Sequence, residues 1–382
     1  MKFEAILLSF TKSIRSFIFT SIAITIPYLL SNFDFSSLET GIVILISLAI
    51  STIFLYAYTA FRILAKRKIL LMAFLFLVSL TILYLEENVI FLFIALIVGG
   101  FSLSGRDLTA NQSIEQYTMS LYTENQYRKN SIFALYNFGS YASGATASLF
   151  LFLYNPSSFQ LVFLINVLLS LVQVAIYLFI KFPEFVPRKK GEKIKDKETR
   201  NLVRSLAILF SVDSLGGGLV NNSIITLFFK VVYNLDISQV GLIFIIVNII
   251  TALSIIGSRY ISGNIGLVRT MVYTHIISNI MLFMVPVFHM LIVSEMFLYL
   301  RQSTSQMDVP ARDSFVNTVI PQDSRVNSNS VFIGVRNGMQ IPGPGIAGFI
   351  MEIFPAGIFF MAALTKISYD LAFFLKYREN HI

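Results

Sequence analysis

Asn32-Phe33-Asp34-Phe35-Ser36, followed by Gly41-Ile42-Val43-Ile44, returns about 200 residues later as Asn234-Leu235-Asp236-Ile237-Ser238, followed by Gly241-Leu242-Ile243-Phe244. A second echo keeps the order. Arg128-Lys129-Asn130-Ser131 is answered by Arg325-Val326-Asn327-Ser328. Two echoes at nearly one offset mean that two similar halves were joined head to tail. In an apolar chain such halves predict two membrane lobes with a site between them.

Of 382 residues, 55% are hydrophobic and only 13% charged, so the chain cannot cover itself with a charged surface and its main solvent is lipid. Trp is absent, which leaves Tyr to anchor at the membrane interfaces. Twelve apolar runs are each long enough to cross ~30 Å of hydrocarbon. They cover roughly 14–31, 39–60, 68–86, 89–111, 130–154 and 158–181, then 203–231, 238–261, 267–287, 289–310, 327–353 and 356–376. The reading is an all-α integral membrane protein of 12 transmembrane helices in two six-helix lobes. Residues 1–181 form the first lobe, 182–202 a basic linker and 203–382 the second lobe. Ahead of the first run, Phe3, Ile6, Leu7 and Phe10 share one helical face and predict a short interfacial lead-in helix. Lys12 and Arg15 interrupt that stretch, which excludes a signal peptide.

Basic residues fall on alternate connectors. Arg62, Lys66, Arg67 and Lys68, then Arg128 and Lys129, Arg259, Arg269, Arg312 and Arg325 lie on one side with the central linker, which carries Arg188, Lys189, Lys190, Lys193, Lys195, Lys197, Arg200 and Arg204. The opposite connectors hold Lys230 alone. The bias places both termini in the cytoplasm. It also assigns the net charge of +8 to topology and to attraction of the linker by anionic membrane lipids, with no nucleic acid as partner. There is no Cys and only three His, scattered at 275, 289 and 381, so no metal site and no cofactor is expected.

The span count, the inside termini, the central basic loop and the parallel halves resemble the major facilitator superfamily, over the whole chain. Local matches are Asp213-Ser214-Leu215-Gly216-Gly217-Gly218, Arg301-Gln302-Ser303-Thr304-Ser305-Gln306-Met307-Asp308-Val309-Pro310-Ala311-Arg312 and Gly343-Pro344-Gly345-Ile346-Ala347-Gly348. These are similar to a sparsely characterised prokaryotic branch of permeases. The resemblance implies a secondary active transporter in the cell membrane, a monomer and not an enzyme, that moves a small-molecule substrate by alternating access. It implies proton coupling, and export in preference to uptake by symport. A lipid-handling or ligand-sensing protein without solute flux is the remaining alternative. Two departures stand out. The family's loop Gly-x-x-x-Asp-Arg-x-Gly-Arg-Arg has Ile63 in the acid's place here, and its counterpart Ser258–Arg269 also lacks an acid. The antiporter-type Gly-Pro motif expected in span 5 is replaced by Gly139-Ser140-Tyr141-Ala142-Ser143-Gly144, and the Gly-Pro version sits in span 11, which weighs against antiport. A weakened cytoplasmic latch could be replaced by Asp308, Arg312, Asp313 and Arg325, or by Glu115 with Arg128.

Charges inside spans need a partner or water, because an unpaired charge in hydrocarbon costs several kcal/mol. They are Arg106 and Asp107, Asp213, Glu295 and Arg301, Arg336, and Lys366 and Asp370. Four acids against four bases leave the sign of the substrate open. Lys366 and Asp370 stand one helical turn apart and can pair with each other. Arg106 and Asp107 suit a latch as well as a substrate contact, and Arg336 suits carbonyls freed by Pro342 and Pro344. Arg301, with Asp308 two turns later on the same face, is the preferred substrate anchor. Asp213, next to three glycines, is the preferred proton-coupling group, against a fixed Asp–Arg brace. The small residues at Gly139–Ser148 and Gly338–Gly348 suit close helix packing. Asn166 and Gln173 are expected to line a wet cavity, and His275 and Asn279 to tie helices together.

Overall fold

A computed structural model describes residues 3–60, 63–105, 107, 111–122, 126–156, 158–184, 196–321 and 324–378. Among these the structure is helical, with no strand. The first half contains α1 (Phe3–Ser31), α2 (Ser37–Ala60), α3 (Ala65–Leu85), α4 (Val89–Gly99), α5 (Asn111–Ser120), α6 (Gln126–Tyr154) and α7 (Gln160–Phe179). The second half contains α8 (Lys197–Leu219), α9 (Asn222–Tyr233), α10 (Ile237–Ile265), α11 (Leu267–Met284) and α12 (Leu291–Thr304). It ends with α13 (Asp308–Val319), α14 (Arg325–Gln340), α15 (Pro342–Ile353) and α16 (Gly357–Tyr377). Eight segments of the described residues are long and apolar enough to cross a membrane.

Two expectations need correction. The lead-in helix does not exist as a separate element: α1 runs unbroken from Phe3 to Ser31. Lys12 and Arg15 are buried along it rather than held at an interface, because acids from α5 and the segment before it neutralise them. In addition, α4 ends at Gly99, well inside the run at 89–111, and the runs at 203–231, 289–310 and 327–353 are each two helices, not one. The first break has a clear local cause. Gly100 takes a left-handed φ of 57° that closes α4, and a Cβ there would fall 2.2 Å from the Phe54 ring. In the last, α14 gives way at Ile341 to α15, which starts on Pro342, a residue with no N–H to lose at a helix start.

The described chain forms two compact units. The first comprises residues 1–187 with 222–248. In it α1 lies against α6, α7 and α9, and α3 against α4 and α7. Small residues bring α6 onto α1: Ser16 and Ser140 share a hydrogen bond, and a Cβ at Gly139 would meet Ser13 Oγ at 2.6 Å. Segment Asn222–Asn248 is tied in by Tyr28 Oη donating to Leu235 O (2.8 Å), Ser238 Oγ to Phe152 O (2.6 Å) and Ser223 Oγ to Leu103 O. The second unit comprises residues 188–221 with 249–382. There α8 packs on α14, α15 and α16, while α11 packs on α12, α13 and α16. Its core is aromatic, built on Phe210, Phe315, Phe332, Tyr369, Phe373 and Tyr377.

Candidate functional site

In the second unit α8 carries Asp213, buried, with Gly216 one turn further on. A Cβ at Gly216 would lie 2.8 Å from Lys366 Cγ, so the glycine leaves the groove through which Lys366 reaches across from α16. Lys366 Nζ sits 2.7 Å from Asp213 Oδ1. This corrects the expected Lys366–Asp370 pair, because the cross-helix acid satisfies the ammonium more closely than the acid one turn along. Asp370 instead holds His275 of α11, with Nδ1 2.7 Å from Oδ1, and accepts from Asn279 Nδ2 at 3.2 Å. His275 Nε2 lies 3.5 Å from both Asp213 Oδ1 and Lys366 Nζ. Two acids, a lysine and a histidine thus form one buried cluster on α8, α11 and α16. The His275–Asn279 face was legible as a tie between helices, but its acidic partner was not.

The other candidates of this unit disperse. Asp308 and Arg312 pair within α13 at 3.0 Å, and the Arg312 guanidinium lies 6.0 Å from the Phe210 ring centre. Asp313 is exposed, and Arg325 Nε donates to Ile320 O at 3.0 Å, so the four do not form one latch. Arg301 and Asp308 do not share a helix, because α12 stops at Thr304. Arg301 Nη1 donates to Gln302 Oε1 at 2.6 Å, and Gln302 Nε2 to Thr251 Oγ1 at 3.1 Å. Glu295 and Arg336 are half-buried on α12 and α14. Arg312 and Arg336 both add positive field at Asp213.

The first unit has a second buried ionic cluster, and the residue at its centre was missed. Arg15, with no exposed surface, places Nε 2.8 Å from Asp107 Oδ2 and Nη1 2.8 Å from Glu115 Oε1. Lys12 Nζ lies 2.9 Å from Asp107 Oδ2. Tyr177 and Tyr136 donate to the two oxygens of Glu115 at 2.6 and 2.7 Å, and Gln173 Nε2 donates to Tyr177 Oη at 3.1 Å. Glu115 therefore meets Arg15. The Arg128 side chain and Arg106 lie outside the described residues. Asn166 and Gln173 are fully buried, with Ser21 Oγ donating to Asn166 Oδ1 at 3.0 Å. The one available signal for Arg15 was its place in an apolar run, the criterion applied to every other intramembrane charge. Among the described residues no three His, Asp or Glu side chains converge to hold a metal ion.

Apolar helices around two buried ionic clusters fit a multi-pass membrane protein whose polar interior does work. The family model for the Major Facilitator Superfamily matches residues 8–344. The chain belongs to the major facilitator superfamily. As a member of it, the protein is a multi-pass membrane transporter. Among solved structures it is similar to a POT family transporter in complex with a thioalcohol-conjugated peptide (TM-score 0.78, 12% identity, 98% of this chain and 96% of that one). It also resembles the nucleoside transporter NupG (0.73, 14%, 99% and 100%) and the human organic anion transporter MFSD10 (0.73, 11%, 98% and 100%). At these identities the likeness is one of fold. An uncharacterized membrane protein of Saccharomyces cerevisiae is 28% identical over 166 residues, 43% of this chain. The match spans 37% of that relative's own length.

Proposed function

We propose that the protein is a proton-coupled secondary transporter of a small solute, with twelve spans in two six-helix lobes, both termini cytoplasmic, acting as a monomer in the cell membrane. The observation that supports coupling is the buried cluster of Asp213, Lys366, His275 and Asp370. Charges of this kind are kept within lipid-spanning helices where their pairing can change with conformation or protonation. Asp213, paired with Lys366, anchors this coupling centre. Arg301, on α12 beside the Gln302–Thr251 contact, is the preferred substrate anchor, with Arg336 and Glu295 as further contacts. Asp308 with Arg312, and Glu115 with Arg15, brace the second and first units during movement. Export is preferred, on the resemblance. The structural neighbours are named for solutes as different as nucleosides and organic anions, so side chains rather than the fold must set the substrate.

The test is a solute screen on the purified protein by thermal shift at two pH values, followed by flux into or out of proteoliposomes under an imposed pH gradient. Expected is a solute whose flux follows the gradient. Asp213→Asn, less stable because it strands Lys366, should still bind yet lose gradient-driven accumulation, and Arg301→Ala should lose flux at wild-type expression. Flux indifferent to the gradient in the wild type removes coupling, and normal flux in Arg301→Ala removes that anchor.

A further inference from the structure

The cluster in the second unit contains two acids, and the geometry gives them different tasks. Asp213 Oδ1 has the Lys366 ammonium at 2.7 Å, a direct countercharge. Asp370 has no such partner. Among the described residues, the ionisable group within ion-pair distance of it is His275, 2.7 Å away. Asp213 and Lys366 cancel each other. The charge of the remaining pair is then set by one proton: with it the pair is neutral, and without it the pair carries −1. Two groups this close titrate as a unit, and within it the imidazole, ordinarily the more basic of the two, takes the proton. Asn279, donating to Asp370 Oδ2 at 3.2 Å, fixes the carboxylate so that its other oxygen faces the ring.

We infer that His275 and Asp370 together hold the exchangeable proton of this protein, while Asp213 with Lys366 is the fixed charge beside it. The inference rests on the proton-coupled reading for its role in transport, though not for its existence as a site. The groups around the ring fit that division. From α16 come Lys366, Asp370 and Tyr369, whose ring meets the imidazole edge-on at 5.9 Å. From α8 comes Asp213, with Nε2 of the ring 3.5 Å from its Oδ1. The neighbouring α13 carries Asp308 and Arg312, already paired at 3.0 Å, and α14 carries Arg336, both arginines acting on Asp213. The charged groups of α12 are Glu295 and Arg301, the latter donating to Gln302. Losing the proton leaves a net negative charge in a low-dielectric interior, so release requires either water or a cationic group to enter.

With three histidines in the chain, the test needs no substrate. His289→Gln with His381→Gln leaves His275 as the single imidazole, and His289 is exposed, so the buried cluster is untouched. The variant is labelled with 15N-histidine, reconstituted in liposomes and followed by solid-state NMR across about pH 4 to 10, bracketing the ordinary imidazole range. One protonation step at the ring is expected, with a midpoint that Asp370→Asn moves by more than about tenfold in proton concentration. A ring that keeps one charge state throughout overturns the inference, as does a midpoint unmoved by Asp370→Asn. If Asp370→Asn does not fold, the titration in the parent background decides alone. Flux under a pH gradient is read separately. A flat His275 in a proton-driven transporter overturns the site and leaves the coupling reading intact. A titrating His275 in a transporter indifferent to the gradient supports the site and removes the coupling.

Discussion

Lys366 bonds Asp213, on a helix far away in sequence, with Nζ 2.7 Å from Oδ1, while Asp370 one turn along its own helix bonds His275. Removing one member of the cross-helix pair strands the other. Lys366→Met should therefore cost about 3 kcal/mol, the order of an unpaired charge at mid-membrane. The double variant Lys366→Met with Asp213→Leu should recover most of that loss, since replacing both charges by apolar groups removes the penalty. Thermal melting of the four proteins in one detergent gives the cycle, and additive losses would mean that the two side chains do not depend on each other.

The glycines of this unit should differ in tolerance. A Cβ at Gly218 would meet Gln340 O at 2.6 Å and Cα at 3.1 Å, both backbone atoms that cannot rotate away. At Gly216 the closest atom is Lys366 Cγ at 2.8 Å, part of a flexible side chain, although Ala362 O follows at 3.1 Å. At Gly338 nothing lies within 4 Å. Alanine should thus lower the melting temperature most at Gly218, less at Gly216, and at Gly338 not at all or in the stabilising direction, since helical Gly→Ala gains up to about 1 kcal/mol. Any other order contradicts the packing of α8 against α14 and α16.

Arg15 should be the least replaceable charge of the first unit. Its guanidinium serves Asp107 and Glu115 at once, a geometry that a lysine's single ammonium cannot reproduce. Arg15→Lys should therefore destabilise clearly, by roughly 2–3 kcal/mol, and Arg15→Met by about 3–5 kcal/mol. Tyr177→Phe, which removes one donor to Glu115, should cost about 1–2 kcal/mol. Equal melting temperatures for Arg15→Lys and wild type would show that the two-acid grip is not needed.

These residues show what the sequence could and could not convey. Lipid demands long apolar runs, so the helical content and the family resemblance were legible from periodicity and charge placement. The breaks were not. Phe101 and Leu103 carry the apolar run straight past Gly100, and only the left-handed turn there shows that α4 has ended. Charge partners were read along helices, because i,i+4 spacing is visible in one dimension. The partners of Lys366, Glu115 and Asp370 all come from other helices, brought close by packing that small residues such as Gly216 permit. Arg15 was passed over because a charge near the start of a chain reads as an interface residue until its acids are seen.

The N-terminus of α8 offers a pH-dependent local contact outside the membrane. Asp196 accepts from the backbone N–H of Thr199 at 2.7 Å and of Glu198 at 3.3 Å. The Thr199 side chain first, then these two backbone bonds, hold its carboxyl below the usual aspartate range. A lowered value in the folded state means that the cap is fully formed above the ordinary aspartate range and is lost as pH falls through the lowered one. Amide protection of Thr199 in hydrogen exchange should accordingly be constant at neutral pH and fall in acid. Asp196→Ala should show the low protection at every pH, and a wild-type profile without that acid loss would rule out the cap.

The proposed alternating access would make a demand on Asn222–Asn248, which belongs to the second sequence half but packs with α1, α2 and α6. Ser238 Oγ bonds Phe152 O at 2.6 Å, and Gly241 approaches so closely that a Cβ would lie 2.9 Å from Phe152 N. If the two sequence halves part during the cycle, these contacts must open. The chain has no cysteine, so Ser238→Cys with Phe152→Cys adds the only two thiols. Joining them with a short bifunctional reagent that forms a disulfide to each thiol should stop solute flux in liposomes, and a reducing agent should restore it. Each single cysteine should transport normally before and after the reagent. Undiminished flux in the cross-linked double variant would mean that α10 stays on α6 throughout transport, and that the moving boundary lies beyond Asn248.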